Sequence, residues 1–247
     1  MNKSKVFVSS RSFSSNIYLK KKLLSIYPNS SFNTLNRRLT TDEFINLAKN
    51  ADKVIVALDN IDKKVLRLLP NLKVISKYGV GLDNINLKDL IDYKIKLGWS
   101  RGQNTRGVSE LVFGFIFSIN RDLFNYQNNL KKLNIFKQTT ANEISSKKIG
   151  IIGFGSIGKD LAKLLSPLKC KIFYNDIRKI TPNNSLHKQK SLNFILSNSD
   201  IITIHTPLTK KTKNLINMTN INLCKNKSII INCARGGIIN ENALYNF

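Results

Sequence analysis

The sequence predicts an α/β protein with two domains, each built on a parallel β-sheet. Short apolar segments rich in β-branched residues alternate with segments whose apolar residues recur at helical spacing, which is typical of βαβ units. In the second half of the chain a glycine-rich turn, Gly153–Gly158, joins such a strand to such a helix. A change of pattern near residue 98 divides the 247 residues into two parts.

The first part, residues 1–97, is predicted to form one domain. Strands are expected at 5–8, 53–57 and 72–76, because each is a short apolar run bounded by polar residues. Helices are expected between the strands, and one of them, at 63–69, ends before a proline. Strands that alternate with helices in this way favour a parallel sheet.

The second part, residues 98–247, opens with a cluster of glycines that suggests a hinge. Residues 108–124 then read as a long apolar helix, and its apolar character on all sides predicts burial between domains or subunits. A second βαβ series begins at Lys147 and contributes further strands at 200–205 and 228–232.

The glycine-rich turn has the spacing G-x-G-x-x-G between a strand and a helix. Gly153 allows a sharp turn, the missing Cβ of Gly155 lets a diphosphate approach the backbone, and Gly158 allows close packing of the helix on the strand. The start of the helix offers free N–H groups and a partial positive charge to phosphates. A glycine turn without a ligand is the alternative, but the full strand–helix–strand context favours a bound dinucleotide.

The second strand of this strand–helix–strand unit ends at a carboxylate, that of Asp176, 18 residues after Gly158. At this position a carboxylate accepts hydrogen bonds from the hydroxyls of the adenosine ribose and repels a 2′-phosphate, so NAD is favoured over NADP. Arg178 lies close by in the sequence and weakens this preference slightly.

The composition is strongly basic, with 40 Lys and Arg against 15 Asp and Glu and a formal net charge of +25. Such a balance can indicate binding to nucleic acid or to an anionic membrane surface. However, the basic residues are spread along the whole chain, and the longest run is only Lys20–Lys22. A solvated basic surface that also attracts anionic substrates is therefore favoured over nucleic-acid binding.

The cysteines and the apolar segments indicate the cellular compartment in which we expect the protein. Three cysteines, Cys170, Cys224 and Cys233, have neither disulfide nor metal-ligand spacing, so we expect buried free thiols, no metal site and a reducing cytoplasm. The N-terminus has no long apolar region, so no signal peptide is expected. The most apolar segment, 111–119, is too short to span a bilayer, so no membrane association is expected.

Several segments, in order and at matching separations, resemble the D-isomer-specific 2-hydroxyacid dehydrogenases, the family of phosphoglycerate dehydrogenase and glyoxylate/hydroxypyruvate reductase. The resemblance covers nearly all of the chain from about Val54 onward. The matching segments are 78–85, Asn104 with 108–110, the turn at Gly153, 205–209 with Thr212, and 232–237, the last being the most specific. The resemblance implies a Rossmann-type NAD-binding domain at 98–247 and a flavodoxin-like substrate domain at 1–97, with the C-terminal part of the fold missing.

The resemblance also implies roles for individual residues. In the family, the arginine of the matching A-R-G-G segment holds the carboxylate and carbonyl of the substrate, and this role falls to Arg235, whose guanidinium fork suits a 2-oxo acid. The alternative for Arg235 is a structural pairing after a strand. The backbone of Val80 and Gly81 resembles the loop that donates N–H groups to the substrate carboxylate, with an ordinary tight turn as the alternative. The residues implied at the cofactor are Gly153, Gly155, Ser156, Ile157, Gly158, Asp176, Thr206, Pro207, Cys233, Ala234 and Arg235.

The two histidines are not expected to be catalytic. The motif that contains His205 matches a structural and cofactor-lining segment of the family, so His205 is expected to be a core or loop histidine with a backbone partner. His187 lies in a polar stretch, 183–190, and is expected to be solvated.

The predicted function is hydride transfer between NAD(H) and a D-2-hydroxy acid or 2-oxo acid, by a homodimer that pairs through the 108–124 helix. In the family a catalytic histidine, the glutamate that tunes it and an aspartate near the nicotinamide lie downstream of the A-R-G-G segment. This chain ends ten residues after Gly237, so we expect a truncated gene product with impaired activity. The alternatives are a nucleotide-binding, corepressor-like interaction protein and an inactive fragment.

Overall fold

The computed structural model of the chain describes residues 3–133, 141–180 and 187–247. The chain forms two compact units, residues 1–103 and 104–247. The sequence placed the boundary after residue 97, which would cut through the last strand of the first sheet, Lys96–Gly98. This strand pairs with the strand Val74–Lys77 and so belongs to the first unit.

The first unit is built on a five-stranded parallel sheet in the order β2-β1-β3-β4-β5, which is the flavodoxin-like order. Its strands are β1 Val6–Val8, β2 Ser30–Phe32, β3 Lys53–Val56, β4 Val74–Lys77 and β5 Lys96–Gly98. Its helices are α1 Arg11–Ser15, α2 Ile17–Ile26, α3 Thr41–Ala48, α4 Lys63–Arg67 and α5 Leu87–Asp92. The core of the unit packs strand residues such as Phe7 and Ile75 against helix residues such as Phe44 and Leu66.

The second unit is built on a five-stranded parallel sheet in the order β10-β9-β6-β7-β8, wound in both directions from β6 as in a Rossmann sheet. Its strands are β6 Lys148–Ile152, β7 Lys171–Asn175, β8 His187–Gln189, β9 Ile201–Ile204 and β10 Ile229–Asn232. Its helices are α6 Thr105–Asn120, α7 Leu123–Asn128, α8 Ser156–Leu165, α9 Leu192–Asn198 and α10 Glu241–Tyr245, and Asn129–Leu133 forms a π-helical turn. The predicted α/β class, flavodoxin-like in one unit and Rossmann-type in the other, is confirmed.

Strand β6 is buried on both faces, as its continuous apolar run predicted. Ile149 belongs to one apolar cluster and Ile152 to another that includes Ile195 of α9. Gly150 lies where α9 approaches most closely, because a Cβ built on it would lie 2.4 Å from Ser199 Oγ and 2.5 Å from Ile195 Cγ2. This requirement for glycine was not predicted.

The predicted apolar helix at 108–124 is wrong in its bounds. Helix α6 ends at Asn120, and Asp122 adopts a left-handed conformation with φ 54° before α7 begins. Within this chain only one face of α6 is covered, because Val112 and Ile116 are fully buried whereas Leu111 is 51% and Ile119 41% exposed; burial of the exposed face against another domain or subunit stays a prediction. None of the helices in the described parts of the chain has the length and apolar character needed to cross a membrane.

Candidate functional site

The segments predicted to bind the cofactor follow neighbouring strands of the second unit. Ile152 of β6 pairs in register with Ile204 of β9 on one side and with Asn175 of β7 on the other. Ile204 in turn pairs with Asn232 of β10. Because parallel strands end at the same edge, the segments that begin at Gly153, His205, Cys233 and Asp176 meet there. This carboxyl edge, at the point where the strand order reverses, is where open α/β sheets bind ligands.

Each glycine of the turn meets a different steric demand. Gly153 has φ +91°, and a Cβ built on it would lie 2.8 Å from the backbone carbonyl of His205. A Cβ on Gly158 would lie 2.3 Å from the carbonyl oxygen of Gly153. Gly155 has no neighbour within 4 Å of its Cβ position, so the space above it is open. The protein therefore leaves no room for a side chain at Gly153 and Gly158, whereas the space above Gly155 is open.

Helix α8 starts directly beside this open space. Gly155 is its N-cap and supplies no side-chain cap, and the first turn carries no acidic residue. The N–H groups of the first turn, which include those of Ser156 and Ile157, are thus left without a capping side chain. Uncapped N–H groups and the positive end of the helix dipole suit a phosphate group.

Asp176 is held at the edge of the turn. Its Oδ2 accepts a hydrogen bond from the backbone N–H of Phe154 (2.9 Å), and its Oδ1 accepts from the backbone N–H of Arg178 (2.9 Å) and from Arg178 Nε (3.1 Å). Burial acts to raise the pKa of Asp176, but the hydrogen bonds from Arg178 and Phe154 outweigh it, so the pKa lies below its ordinary value. The carboxylate is therefore charged at neutral pH and its position is fixed relative to the glycine turn.

His205 is a neutral, structural histidine. Its backbone N–H donates to the carbonyl of Ile152 (2.7 Å), and its Nε2 lies 2.9 Å from Thr203 Oγ1. Burial lowers the pKa of His205 to about 4, so the imidazole is uncharged at neutral pH. The position agrees with the expected core or loop histidine, but the contact of its ring is with the hydroxyl of Thr203 and not with the backbone.

Two polar atoms at this edge are buried without a partner among the described residues, His205 Nδ1 and Thr206 Oγ1. Thr206 also contacts the turn, because its Cγ2 lies 2.9 Å from the Cβ position of Gly153. Pro207 follows and is exposed. Buried polar groups are nearly always hydrogen-bonded, so an unsatisfied hydroxyl beside the glycine turn is consistent with a polar ligand at this place.

The turn after β10 is shaped by Asn232. Its Oδ1 accepts a hydrogen bond from the N–H of Ala234 (3.1 Å), and its Nδ2 donates to the carbonyl of Arg235 (2.8 Å). The exposed Arg235 also donates from Nη1 to the carbonyl of Ala234 (2.8 Å), and Cys233 is half-buried. Sequence reasoning did not single out Asn232, although an asparagine directly after a strand is a signal for such a side-chain-capped turn.

In the first unit, Val80 and Gly81 lie in the loop that follows β4 and are half-buried. The carbonyl of Val80 accepts a hydrogen bond from Trp99 Nε1 (3.0 Å), and Gly79 has φ +136°, which L side chains rarely adopt. The base of the loop is tied by Asn84, whose Oδ1 accepts from Lys77 Nζ (2.6 Å). The loop is therefore held in one shape by side-chain contacts.

The expectation that His187 is solvated is wrong. His187 begins β8 and is only 8% exposed, and burial lowers its pKa. Its ring packs edge-on against Phe154 of the glycine turn at 6.3 Å, and Phe154 stacks on Tyr174 at 3.9 Å. The polar neighbours of His187 suggested a loop, but the strand turns this side chain inward. Part of the stretch, residues 183–186, lies outside the described residues.

A cavity of about 430 Å³ lies at the opposite edge of the same sheet. It is lined by residues that precede β6, β9 and β10, such as Lys147, Asp200 and Lys227. It contains none of the predicted site residues, so it is separate from the carboxyl edge.

Comparison with known proteins agrees with this geometry. A sequence model described as "D-isomer specific 2-hydroxyacid dehydrogenase, NAD binding domain" matches residues 113–247. A glyoxylate reductase from Thermofilum pendens is 33% identical over 215 residues, covering 82% of this chain and 62% of the relative. A hydroxypyruvate reductase from Thermotoga maritima is 32% identical over 213 residues, covering 85% of this chain and 69% of the relative.

Among solved structures, the 3-phosphoglycerate dehydrogenase of Entamoeba histolytica with bound NAD+ is similar with a TM-score of 0.81 and 27% identity, over 99% of this chain and 76% of that one. The chain spans less than two thirds, 62%, of the length of the Thermofilum relative. The matched region includes the glycine turn, Asp176 and the segment around Arg235. The chain therefore belongs to the D-isomer-specific 2-hydroxyacid dehydrogenase family and carries its NAD-binding domain.

Proposed function

We propose that the protein is an NAD-dependent oxidoreductase that transfers a hydride between NAD(H) and a D-2-hydroxy acid or the corresponding 2-oxo acid. The observation that carries this proposal is the open space over Gly155 at the uncapped start of α8, next to the charged carboxylate of Asp176. These features fit a dinucleotide, because a diphosphate needs free N–H groups and a ribose needs a hydrogen-bond acceptor.

Within this proposal, each group of residues has a task toward NAD. The turn Gly153–Gly158, with Ser156 and Ile157, holds the diphosphate, and Asp176 accepts from the adenosine ribose and disfavours a 2′-phosphate. Thr206 and Pro207 line the adenosine side of the cofactor. Cys233, Ala234 and Arg235 line it beyond β10. When bound, NAD supplies the hydride donor or acceptor.

The substrate is proposed to be a small 2-oxo or 2-hydroxy acid. Arg235 binds its carboxylate and polarises its carbonyl, because a guanidinium stays charged and presents two parallel N–H donors. The backbone N–H groups of Val80 and Gly81 bind the carboxylate as well. His205 is not assigned as the proton donor, because its pKa of about 4 leaves it unprotonated at neutral pH.

We further propose a homodimer in a reducing cytoplasm. Helices α6 and α7 expose large apolar side chains, among them Leu111 (51%), Ile119 (41%) and Phe124 (53%), and such a surface marks an interaction site. All three cysteines are free thiols, which suits a reducing compartment. Light scattering should give a dimer that Leu111→Lys converts to a monomer, whereas Leu244→Lys, which changes another exposed leucine on α10, should leave it intact. A wild-type monomer would contradict the dimer.

The cofactor proposal is tested by titration of the protein with NADH, followed by fluorescence. Asp176→Asn keeps the shape of the side chain but removes its charge, and should weaken binding by about tenfold or more, because hydrogen bonds to a charged group contribute about 1.5–3 kcal/mol. Arg178→Gln is the matched control, since it removes the partner of Asp176 but leaves the carboxylate. Folded protein that binds no NADH would refute the proposal, and turnover of hydroxypyruvate or glyoxylate with NADH would extend it to catalysis.

A further inference from the structure

The loop that carries Asp176 is held by side chains of two neighbouring strands. This loop, residues 176–180, follows β7, and its middle residues are exposed, Ile177 completely. Exposed loops usually move more than the strands that they follow. Here, however, backbone groups at both ends and in the middle of the loop form hydrogen bonds with the side chains of Gln189 and Tyr174. The loop is therefore fixed by residues outside its own segment.

Gln189 makes three of these hydrogen bonds. It is the last residue of β8 and pairs in register with Tyr174 of β7. Its Nε2 donates to the carbonyls of Asp176 (3.2 Å) and Arg178 (2.8 Å), and its Oε1 accepts from the backbone N–H of Ile180 (3.0 Å). A glutamine amide has two donor hydrogens and one acceptor oxygen, so every polar group of this side chain is used by the loop.

Tyr174 connects the same loop to the glycine turn. Its hydroxyl donates to the carbonyl of Ile180 (2.6 Å), and its ring stacks on Phe154 with 3.9 Å between the ring centres. The backbone N–H of Phe154 in turn donates to Asp176 Oδ2 (2.9 Å). The contacts thus form a closed ring that runs from Asp176 through Phe154, Tyr174, Ile180 and Gln189 back to Asp176. Because connected polar networks of this kind are rigid, the loop has one position relative to the glycine turn.

The fixed loop determines where the charges of Asp176 and Arg178 lie. The guanidinium of Arg178 is turned back onto the carboxylate, with Nε 3.1 Å from Oδ1 and Nη2 3.4 Å from Oδ2. In this arrangement the carboxylate repels a 2′-phosphate, and the arginine that could bind such a phosphate is occupied. In a released loop the arginine could leave the carboxylate and form an ion pair with the 2′-phosphate instead. The hydrogen bonds of Gln189 therefore affect the choice between NAD and NADP.

We infer that Gln189 is a positioning residue for cofactor specificity, which holds Asp176 toward the ribose and withholds Arg178 from a 2′-phosphate. This inference rests on the proposed function, in which the turn Gly153–Gly158 and Asp176 bind NAD. Gln189 acts through the backbone of the loop, since its whole amide group is engaged there. A glutamine that only stabilised the edge of the sheet would affect the melting temperature but not the ratio of the two cofactor affinities.

The test measures the dissociation constants of NADH and NADPH by fluorescence titration of the full chain, at an ionic strength of about 0.15 M that screens distant charges. The wild type should bind NADH at least about tenfold more tightly than NADPH. Gln189→Met keeps the length of the side chain and removes three hydrogen bonds, each of which shifts the equilibrium between fixed and released loop by about two- to tenfold. The preference for NADH should therefore fall at least about fivefold. Tyr174→Phe keeps the stacked ring, removes one hydrogen bond and should lower the preference by about two- to threefold.

Asn220→Leu is the matched control. The side chain of Asn220 also fixes a loop of the second unit, because its Oδ1 accepts from the backbone N–H of Asn217 (2.9 Å) and its Nδ2 donates to the carbonyl of Leu215 (2.9 Å). This variant should lose stability in thermal melts, as expected for lost hydrogen bonds, but should keep the wild-type preference for NADH.

Limited digestion with trypsin reports on the loop without any cofactor. Arg178 and Lys179 are exposed, and a protease can cut after them only when the loop opens. Mass spectrometry of the fragments should show that Gln189→Met is cut at these two residues at least about threefold faster than the wild type. Asn220→Leu should be cut there at the wild-type rate.

The inference would be overturned by a folded Gln189→Met protein that keeps the wild-type preference for NADH or the wild-type rate of cleavage in the loop. If Gln189→Met does not fold, an unchanged preference in Tyr174→Phe overturns it instead. The wild type separates this inference from the proposed function. Equal binding of NADH and NADPH refutes only the inference, whereas a folded wild type that binds neither cofactor refutes the proposed function and the inference with it.

Discussion

The glycine turn can be tested by replacing two of its glycines with alanine, because one replacement should lower the stability of the protein and the other should weaken NADH binding. In Gly158→Ala the new methyl group would lie 2.3 Å from the carbonyl oxygen of Gly153 and 3.1 Å from Ile151 Cγ2, so backbone must move. Overpacking of this kind costs about 1–3 kcal/mol or more, whereas alanine in a helix regains about 1 kcal/mol. In Gly155→Ala the methyl group has no neighbour within 4 Å, and the space it enters is that proposed for the diphosphate.

Gly158→Ala should therefore lower the melting temperature by several degrees, since about 1 kcal/mol corresponds to about 2–4 °C in a domain of 150–250 residues. Gly155→Ala should melt within about 2 °C of the wild type but weaken NADH binding by about tenfold or more, as expected for lost contacts to a charged phosphate. Thermal melts and NADH fluorescence titrations on both variants provide the readouts. The reasoning would be refuted by wild-type NADH affinity in a folded Gly155→Ala protein, or by an unchanged melting temperature in Gly158→Ala.

Two further predictions concern stability. Gly150→Ala should have a melting temperature well below that of the wild type, because its Cβ would lie 2.4 Å from Ser199 Oγ. Gly236→Ala is the control and should melt at almost the wild-type temperature, since its Cβ position has no neighbour within 4 Å. Equal melting temperatures of the two variants would contradict the close approach of α9. The pKa of His205 in the folded state, about 4, lies below its ordinary value of 6.5. Between these two pH values the unfolded chain binds more protons than the folded chain. The free energy of unfolding should therefore fall as the pH drops from about 6.5 towards 4. Urea unfolding from pH 7.5 to 5 checks this, and His205→Gln should reduce the slope; an identical slope in both proteins would argue against a buried neutral imidazole.

Some residues of the candidate site could be predicted from the sequence, because their separations along the chain are set by the geometry of the strand–turn–helix unit. The turn Gly153–Gly158 and the carboxylate of Asp176 were found because a strand, a sharp turn, a helix and a second strand require these residue types at these separations. The inward-facing His187 was not found, because its neighbours in the sequence are polar and its contacts with Phe154 and Ser166 come from distant parts of the chain. The role of Asn232 was missed for a different reason, since the turn it shapes is visible only in its hydrogen bonds.

The break between α6 and α7 is another feature that the sequence pattern did not predict. The apolar pattern continues across residues 121–123, but Asp122 takes a left-handed conformation that hydrophobic periodicity does not report. Within the chain only one face of α6 is buried, so the predicted burial of its other face against another domain or subunit is not tested by the single chain.

By itself, then, the sequence determined the α/β class, the parallel strands and the residues of the glycine turn, because these depend on side-chain periodicity and on backbone conformations open only to glycine. The tertiary structure decided which strands are neighbours, that Gly150 must admit α9, and that His187 faces inward against Phe154. These outcomes depend on contacts between residues far apart in the chain, and no local pattern encodes which of several similar partners a side chain meets.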